Sequence, residues 1–291
     1  MVVYVVFERS SRGQLFDEAT VMGPNRHDLV SLGFGGPPFR KTEWLLSSVK
    51  SEFLAVAACV FLAIGIRGRK TRLTVVFALA TGASMILARV VKTSLPLKTF
   101  RSGNGTVWQA YNTLPSGHST AAFAVAIAGV AVTAAVLRGW ATWLVVVLGT
   151  AYAVCIGTGT IILGWHRPSD VIAANFLVGC IAFLALAVAV PRKWKQFDRP
   201  ELVCLGCSAF VALGACAYLA NVLRDIQAYY FNVSLDDGFP VFTNVPFSAK
   251  NGFVVFVSVM FATSQFLLTL MAVLSSSPLK ERFKGFVDER A

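Results

Sequence analysis

STAAFAVAIAGVAVTAAVL, residues 119–137, is the stretch that decides the fold of this chain. It contains no charged residue and consists largely of Ala and Val. An α-helix rises about 1.5 Å per residue, so a helix of this length nearly covers the hydrocarbon core of a bilayer, which is about 30 Å thick. The run therefore predicts a helix that crosses a membrane.

Six further apolar runs occur along the chain. Five of them approach or exceed the roughly 18 to 20 residues that a membrane span needs, whereas the run at 53–66 is short. The composition agrees, because 56% hydrophobic and 14% charged residues are too few polar groups to cover a soluble protein of this size. We predict an all-α, polytopic transmembrane helix bundle with six or seven spans. The six further runs are residues 53–66, 73–91, 140–163, 171–190, 202–223 and 253–274.

The Lys and Arg residues, which give the chain a net charge of +11, are concentrated between alternate runs. By the positive-inside rule these segments are cytoplasmic, and the N-terminus and the segments after the second, fourth and sixth runs lie outside. This placement explains the basic charge by topology and argues against a nucleic-acid partner. The basic residues concerned are Arg67, Arg69, Lys70, Arg72, Arg138, Arg192, Lys193, Lys195, Arg199, Lys280, Arg282 and Lys284.

The chain divides into five parts on composition. Residues 1–50 mix charge, Gly and Pro and are predicted to be an extramembrane tail with an interfacial helix around 14–22. A transmembrane core covers 51–223, with its motif region at 89–190. An aromatic-rich outer loop at 224–252, a further span at 253–274 and a cytoplasmic tail at 275–291 follow.

Two of the three histidines, His118 and His166, lie at the ends of apolar runs. They are 48 residues apart (166 minus 118), which matches two crossings of about 20 residues each and a turn. The spacing therefore predicts that both imidazoles lie at one membrane face, and the charge distribution makes that face the outer one.

The residues around His118 read LPSGHST, 114–120, directly before an apolar run. Pro115 and Ser116 suit the first turn and cap of a helix, and Gly117 would let a ligand approach the free backbone N–H groups. A helix N-terminus favours an anion, so this motif predicts a phosphate site that needs no metal.

The residues around His166 read GWHRPSD, 164–170, and Pro168 and Ser169 again mark a helix start. Asp170 lies four residues after His166, where its carboxylate can accept one ring N–H and leave the other nitrogen free to attack phosphorus. His118 would then protonate the leaving alkoxide and later activate water, a reaction that requires no cofactor.

PSGH at 115–118 and GWHRPSD at 164–170 resemble the second and third signatures of the type 2 phosphatidic acid phosphatase family, and the similarity extends over residues 75–190. The resemblance implies metal-independent hydrolysis of a lipid phosphate or polyprenyl diphosphate through a phosphohistidine intermediate. It implies that the site faces the outside of a bacterial plasma membrane, with the lipid substrate and the bilayer as partners and no cofactor. No oligomeric state follows from it.

The family's residue roles map onto this chain by motif. His166 corresponds to the nucleophile, Asp170 to its orienting partner and His118 to the general acid. Ser116 and Gly117 correspond to phosphate-binding positions.

The sequence departs from the family pattern at two arginines. Lys92 matches the Lys of the first signature, but the Arg-Pro that should follow it is missing, and Lys98 and Arg101 are the candidates to replace it. In the third signature Thr160 stands where an Arg is expected, six residues before the histidine. Arg167 offers a further positive charge. Because guanidinium groups clamp phosphate in a bidentate manner, both departures bear on activity.

Three alternatives to catalysis remain at this point. The loss of two arginines is compatible with a catalytically impaired protein of the same fold that binds lipid or acts as a scaffold. His118 and His166 could instead be axial haem ligands, or polar groups that only join helices. Lys92, Lys98 and Arg101 could simply meet lipid headgroups.

Overall fold

The computed structural model describes the ranges 3–10, 12–14, 16–17, 46–47, 51–96, 98–101, 107–110, 113–137, 140–163, 165–189, 199–225, 232–236, 239–243 and 249–276, and single residues 20 and 49. Three sequence predictions lie wholly or largely outside these residues: most of the helix expected around 14–22, most of the tail at 275–291, and the basic segment at 192–195.

Seven long helices build the described part of the chain. Two antiparallel hairpins occupy segments between helices, β1 (Lys98–Arg101) with β2 (Val107–Ala110), and β3 (Asn232–Asp236) with β4 (Phe239–Thr243). The hairpins were not predicted, but the bundle is helical and the predicted all-α fold class is confirmed. The helices are α1 (Ser51–Arg67), α2 (Thr71–Ser94), α3 (Gly117–Val136), α4 (Trp140–Ile162), α5 (Pro168–Ala189), α6 (Arg199–Asp225) and α7 (Ala249–Ser275).

Six of these helices, α2 to α7, are long and apolar enough to cross a membrane. The remaining helix, α1, has 17 residues, about 25 Å at about 1.5 Å per residue, which is short of a hydrocarbon core of about 30 Å. Large apolar side chains such as Leu79, Leu184 and Phe210 are 68–79% exposed on the outside of the bundle. Such a surface suits lipid rather than water, and the protein is an integral membrane protein.

Helix α3 is the centre of the bundle, in contact with α1, α2, α4, α5 and α7. Its small residues make this possible, because small side chains let helices approach closely where lipid offers no hydrophobic drive. A Cβ added at Gly129 would lie 2.5 Å from the Phe61 ring of α1. A Cβ added at Gly157 of α4 would lie 2.8 Å from Val171 Cγ1 of α5. Glycine at these positions therefore fixes how near the helices lie.

The helices alternate in direction, so their ends divide into two groups. At one end the Arg72 guanidinium of α2 donates a hydrogen bond of 2.8 Å to the carbonyl of Val188, near the end of α5. The start of α5 and the start of α3 lie together at the other end. The basic segment that joins α1 to α2 is therefore at the end away from His118 and His166.

Described residues of the N-terminal segment are packed into the bundle. A short π-helical turn, Tyr4–Glu8, contacts α5. Phe7 and Phe16 lie with their ring centroids 6.0 Å apart, and Phe16 is fully buried among side chains of the ends of α4, α5 and α7. The segment thus lies against the start of α5.

Candidate active site

His118 is the second residue of α3 and lies two residues after the predicted cap, Ser116. Ser116 has an extended backbone, and its Oγ accepts hydrogen bonds from the N–H of Ser119 at 3.3 Å and from the Ser119 hydroxyl at 3.0 Å. This is the geometry of an N-cap, so the helix start predicted from the motif is present. The cap fixes the first turn, and with it the position of the His118 side chain.

His166 lies on the short connection between α4 and α5. The backbone N–H groups of Trp165 and His166 both donate to the carbonyl of Thr160, at 2.9 and 3.2 Å. The chain therefore folds back on the end of α4 before α5 begins at Pro168, a residue that suits the first helical position because it has no N–H to satisfy.

Asp170, in the first turn of α5, is fully buried and contacts His166 of this connection. Its Oδ2 lies 3.2 Å from His166 Nδ1 and accepts hydrogen bonds from the Arg167 N–H at 2.9 Å and the Thr113 hydroxyl at 2.6 Å. Three groups on one oxygen hold the carboxylate in place. The contact expected from the spacing of four residues is thus present, and it involves Nδ1 of the ring.

The two motifs are joined to each other as well. The N–H of Ser116 donates to the carbonyl of Asp170 at 3.0 Å, and Thr113 reaches Asp170 from the same side. The ring centroids of His118 and His166 are 6.5 Å apart, with the ring planes 63° apart. Both imidazoles therefore share one end of the bundle and can face one small group, as the separation of 48 residues (166 minus 118) predicted.

Residues 92–195 match the family model of the PAP2 superfamily. Over this region the chain is similar to the PAP2 superfamily. The match begins at Lys92 and includes α3, α4, α5 and both histidine motifs. It confirms the resemblance to the type 2 phosphatidic acid phosphatases, and it supports a phosphatase-type family for this region. Comparison with curated proteins and with solved structures gives no match.

Two basic residues of the region that matches the PAP2 model lie near the histidines. Lys92 is in the last turn of α2, half-buried, and its charge acts on the His118 ring. Arg167 is half-buried and follows His166 directly. Lys92 therefore brings a positive charge near the His118 ring, and Arg167 adds one next to His166 along the chain.

Gly117 stands at the start of α3 with space in front of it. A Cβ added there would meet no described atom within 4 Å. Ser116, in contrast, is fully buried beneath it. The free end of α3 is thus open next to His118, where an anion could reach backbone N–H groups.

Lys98 and Arg101 form the two ends of β1, where their backbones pair with Ala110 and Val107. Their side chains lie outside the described part of the structure, so their phosphate-binding role stays a prediction. Thr160, at the position of the expected Arg, is fully buried, and its hydroxyl donates to the Gly157 carbonyl at 2.8 Å. The Thr160 side chain bonds within its own helix, while its carbonyl holds the His166 connection.

Sequence reasoning missed three residues of the site. Thr113 donates to Asp170, Trp165 lies 5.4 Å from the His118 ring between centroids, and the carboxylate of Asp17 contacts Ser169. Trp165 stood inside the quoted motif without a role. Thr113 and Asp17 gave no local signal, since their partners lie 57 and 152 residues away.

The described residues form no group of three or more His, Cys, Asp or Glu side chains that could hold a metal. The expectation that the reaction uses neither metal nor cofactor stays a prediction.

Proposed function

We propose that this protein hydrolyses a lipid phosphate or polyprenyl diphosphate without a metal, through a phosphohistidine formed on His166. The observation that carries the proposal is the pairing of the His118 and His166 rings, 6.5 Å apart between centroids, with His166 Nδ1 3.2 Å from the buried carboxylate of Asp170. The PAP2 match supports the phosphatase class.

The first step uses the two imidazole rings in different protonation states, with His166 neutral and His118 protonated. With its Nδ1–H donated to Asp170, His166 presents Nε2 with a free electron pair, which attacks phosphorus. A bond forms between nitrogen and phosphorus while the bond from phosphorus to the leaving oxygen breaks. That oxygen is the lipid alkoxide oxygen in a monoester and the bridging oxygen in a diphosphate. The protonated ring of His118 gives its proton to that oxygen, so the lipid leaves as a neutral alcohol, or as a protonated phosphate if the substrate is a diphosphate.

The second step returns both rings to their starting states. His118, now neutral, removes a proton from a water molecule as the water oxygen attacks phosphorus. The nitrogen–phosphorus bond breaks and its electron pair returns to His166. Inorganic phosphate leaves, and the buried Asp170 carboxylate stabilises the positive charge that His166 carries while it is phosphorylated.

The phosphoryl oxygens need donors and positive charge during both steps. The open N-terminus of α3 at Gly117 can offer backbone N–H groups, and Ser116 holds this turn in place. Lys92 and Arg167 supply positive charge beside the histidines. Lys98 and Arg101, on the hairpin between α2 and α3, are proposed to take over from the missing arginine of the first signature.

A lipid substrate suits the depth of the site. His118 and His166 lie where spanning helices begin, so a phosphate there would leave its hydrocarbon chain level with the bilayer core. The positive-inside distribution supports the outer face of the membrane as the location of this site.

Phosphate release from a short-chain phosphatidic acid and from a polyprenyl diphosphate, in detergent, tests the proposal. We expect wild type to release phosphate at the same rate with and without EDTA, and His166→Ala to lose activity by at least about 10³-fold. His27→Ala is the matched control, because it changes the third histidine, which lies outside the PAP2 match. Equal rates for wild type and His166→Ala would refute the catalytic assignment.

A lipid-binding or scaffold protein without turnover is the second candidate, favoured by the buried Thr160 in place of an arginine. It predicts that phosphorylated lipid binds and is not hydrolysed. Turnover of any phosphorylated lipid that depends on His118 would exclude it. The family match weighs against the haem alternative, which a Soret band in the purified protein would restore.

A further inference from the structure

Asp17, far from both motifs in sequence, lies against the start of α5. Its carboxylate is fully buried, with Oδ1 accepting the Ser169 N–H at 3.0 Å and Oδ2 accepting the Ser169 hydroxyl at 2.5 Å. Ser169 lies between Arg167, the last residue before α5, and Asp170, whose carboxylate contacts His166. An N-terminal side chain thus contacts the segment that carries the proposed nucleophile.

The start of α5 needs an acceptor that its own sequence does not provide. The residue before the helix is Arg167, whose side chain has no hydrogen-bond acceptor, although Ser, Thr, Asp or Asn commonly cap this position. Pro168 has no N–H, and the N–H of Asp170 is taken by the Arg167 carbonyl at 3.0 Å. The N–H of Ser169 is therefore the first one in the helix to need a partner, and Asp17 supplies it from 152 residues away.

A buried carboxylate is costly unless hydrogen bonds or charge compensate for it. At this position it gains two hydrogen bonds from Ser169 and the favourable field of a helix N-terminus. Removal of one side of such a contact leaves the Ser169 groups without their acceptor in a buried place, which disturbs the local backbone more than the loss of an exposed contact does.

The N-terminal segment is itself held in position. Phe16, next to Asp17, is fully buried with Phe7 against Val171, Ile172 and Phe256. The segment also has internal order, because the side-chain amide of Gln14 donates to the Glu8 carbonyl at 2.7 Å. The segment is therefore anchored independently of the Asp17 contact, which allows the carboxylate to act as a fixed point.

We infer that Asp17 is a positioning residue, which holds the first turn of α5 so that Asp170 stays in contact with His166. The inference rests on the proposed phosphatase function. Ser169 is covalently joined to Asp170, whose Oδ2 lies 3.2 Å from His166 Nδ1. A small shift of this turn lengthens that contact, and misplacement by about 1 Å at a reacting group can cost about 100-fold in rate.

The test compares Asp17→Ala, Asp17→Asn and Ser169→Ala in the full-length protein, with kcat, KM and Tm measured in detergent on short-chain phosphatidic acid. We expect Asp17→Ala to lower kcat roughly 10- to 100-fold with KM within about twofold of wild type. Asp17→Asn keeps an oxygen acceptor for the Ser169 N–H and should restore part of that kcat. Ser169→Ala, which loses only the hydroxyl bond, should have the smallest effect.

Thr20→Val is the matched control. It removes a hydroxyl but keeps the shape of the side chain at another fully buried polar residue of the same segment. It should keep the kcat of wild type. If folded Asp17→Ala has the same kcat as the control, the inference is overturned, even if its Tm is lower. If Asp17→Ala does not fold, the kcat of Asp17→Asn decides instead, and a value equal to that of the control overturns the inference.

His166→Ala in the same assay separates the two proposals. Loss of activity in His166→Ala together with unchanged kcat in the Asp17 variants rejects the positioning role alone. Hydrolysis that His166→Ala does not reduce, or no hydrolysis by wild type, rejects the proposed function and with it the inference.

Discussion

The carboxylate of Asp170 combines three contacts, from two parts of the chain, on a single oxygen. His166 and Arg167 reach Oδ2 from the connection before α5, and Thr113 reaches it from the segment before α3. In a buried place each of these hydrogen bonds restricts where the carboxylate can point, and so where it can hold the His166 ring. The orientation of the proposed nucleophile therefore depends on a residue outside its own motif.

The first prediction concerns Thr113. Thr113→Val keeps the shape of the side chain and removes the hydroxyl that donates to Asp170 at 2.6 Å. We expect kcat to fall about 3- to 10-fold, in line with the loss of a hydrogen bond of about 1 kcal/mol to a group that still has two partners. The measurement is steady-state hydrolysis in detergent.

Thr263→Val is its control, because Thr263 is a buried threonine of α7 whose hydroxyl bonds the Val259 carbonyl of its own helix at 2.7 Å. The idea fails if the two variants have the same kcat.

The second prediction concerns Gly117. A Cβ there meets no described atom within 4 Å, so Gly117→Ala should fold normally, with a Tm equal to or above that of wild type because alanine lowers the entropy of the unfolded state. The added methyl would nevertheless occupy space in front of the α3 N-terminus, where we place the phosphate. We expect unchanged or higher Tm, together with an apparent inhibition constant for inorganic phosphate raised about tenfold or more.

Gly214→Ala serves as the partner experiment, since a Cβ at Gly214 of α6 also meets no described atom within 4 Å and α6 carries no proposed site residue. Equal phosphate inhibition in both variants would argue that the phosphate does not bind at Gly117.

At the scale of helices, the junction of α4 with α5 sets the position of His166. The carbonyl of Thr160, at the end of α4, accepts two N–H groups of the connection, and α5 begins two residues after His166. One turn earlier in α4, Gly157 lets Val171 of α5 come close. Small residues thus determine the packing distance of the two helices that carry the connection.

The third prediction follows from this packing. Gly157→Ala would put a Cβ 2.8 Å from Val171 Cγ1 and 2.9 Å from Met260 Cε, so the helices must move apart. We expect a loss of about 1–3 kcal/mol in stability, seen as a lower Tm in detergent, and a lower kcat because the His166 connection moves with α5. The same substitution at Gly214 should leave kcat unchanged and should not lower Tm, because a Cβ there meets no described atom and alanine favours a helix. Equal Tm values for the two variants would show that the α4–α5 contact tolerates a methyl group.

At the scale of the whole molecule, the bundle has two unlike ends. One end carries the histidine pair, the N-terminal segment and the β1–β2 hairpin that joins α2 to α3. The other end carries the basic connection from α1 to α2, where Arg72 bonds the carbonyl of Val188. With six helices able to span a bilayer, these ends lie on opposite sides of the membrane.

The fourth prediction assigns the two sides. In a background without the six native cysteines, Ser94→Cys at the histidine end of α2 should react with a membrane-impermeant maleimide on intact cells. Arg67→Cys at the basic end should react only after permeabilisation, because cytoplasmic segments are enriched in Lys and Arg. Both positions are exposed. The reverse pattern would place the site in the cytoplasm.

Local spacing in the sequence was enough to find the spans and the centre of the site. Runs of about 20 apolar residues predict spanning helices because the bilayer imposes that length. The separation of four residues from His166 to Asp170 predicts their contact, because both then fall within one short turn. Two crossings predict that His118 and His166 share an end. The same reasoning left α1 uncertain, since a run of its length fits either a short span or a helix that stays within the bundle.

The tertiary structure alone decided which distant residues support that centre. Three hydrogen-bonded contacts join segments that no sequence periodicity connects. They are Thr113 to Asp170, the Ser116 N–H to the Asp170 carbonyl, and Asp17 to Ser169. Their meeting depends on how closely glycine and alanine let the helices approach, and on where Phe16 is buried. These are properties of packing, because a contact between residues 57 or 152 positions apart exists only after the chain between them has folded.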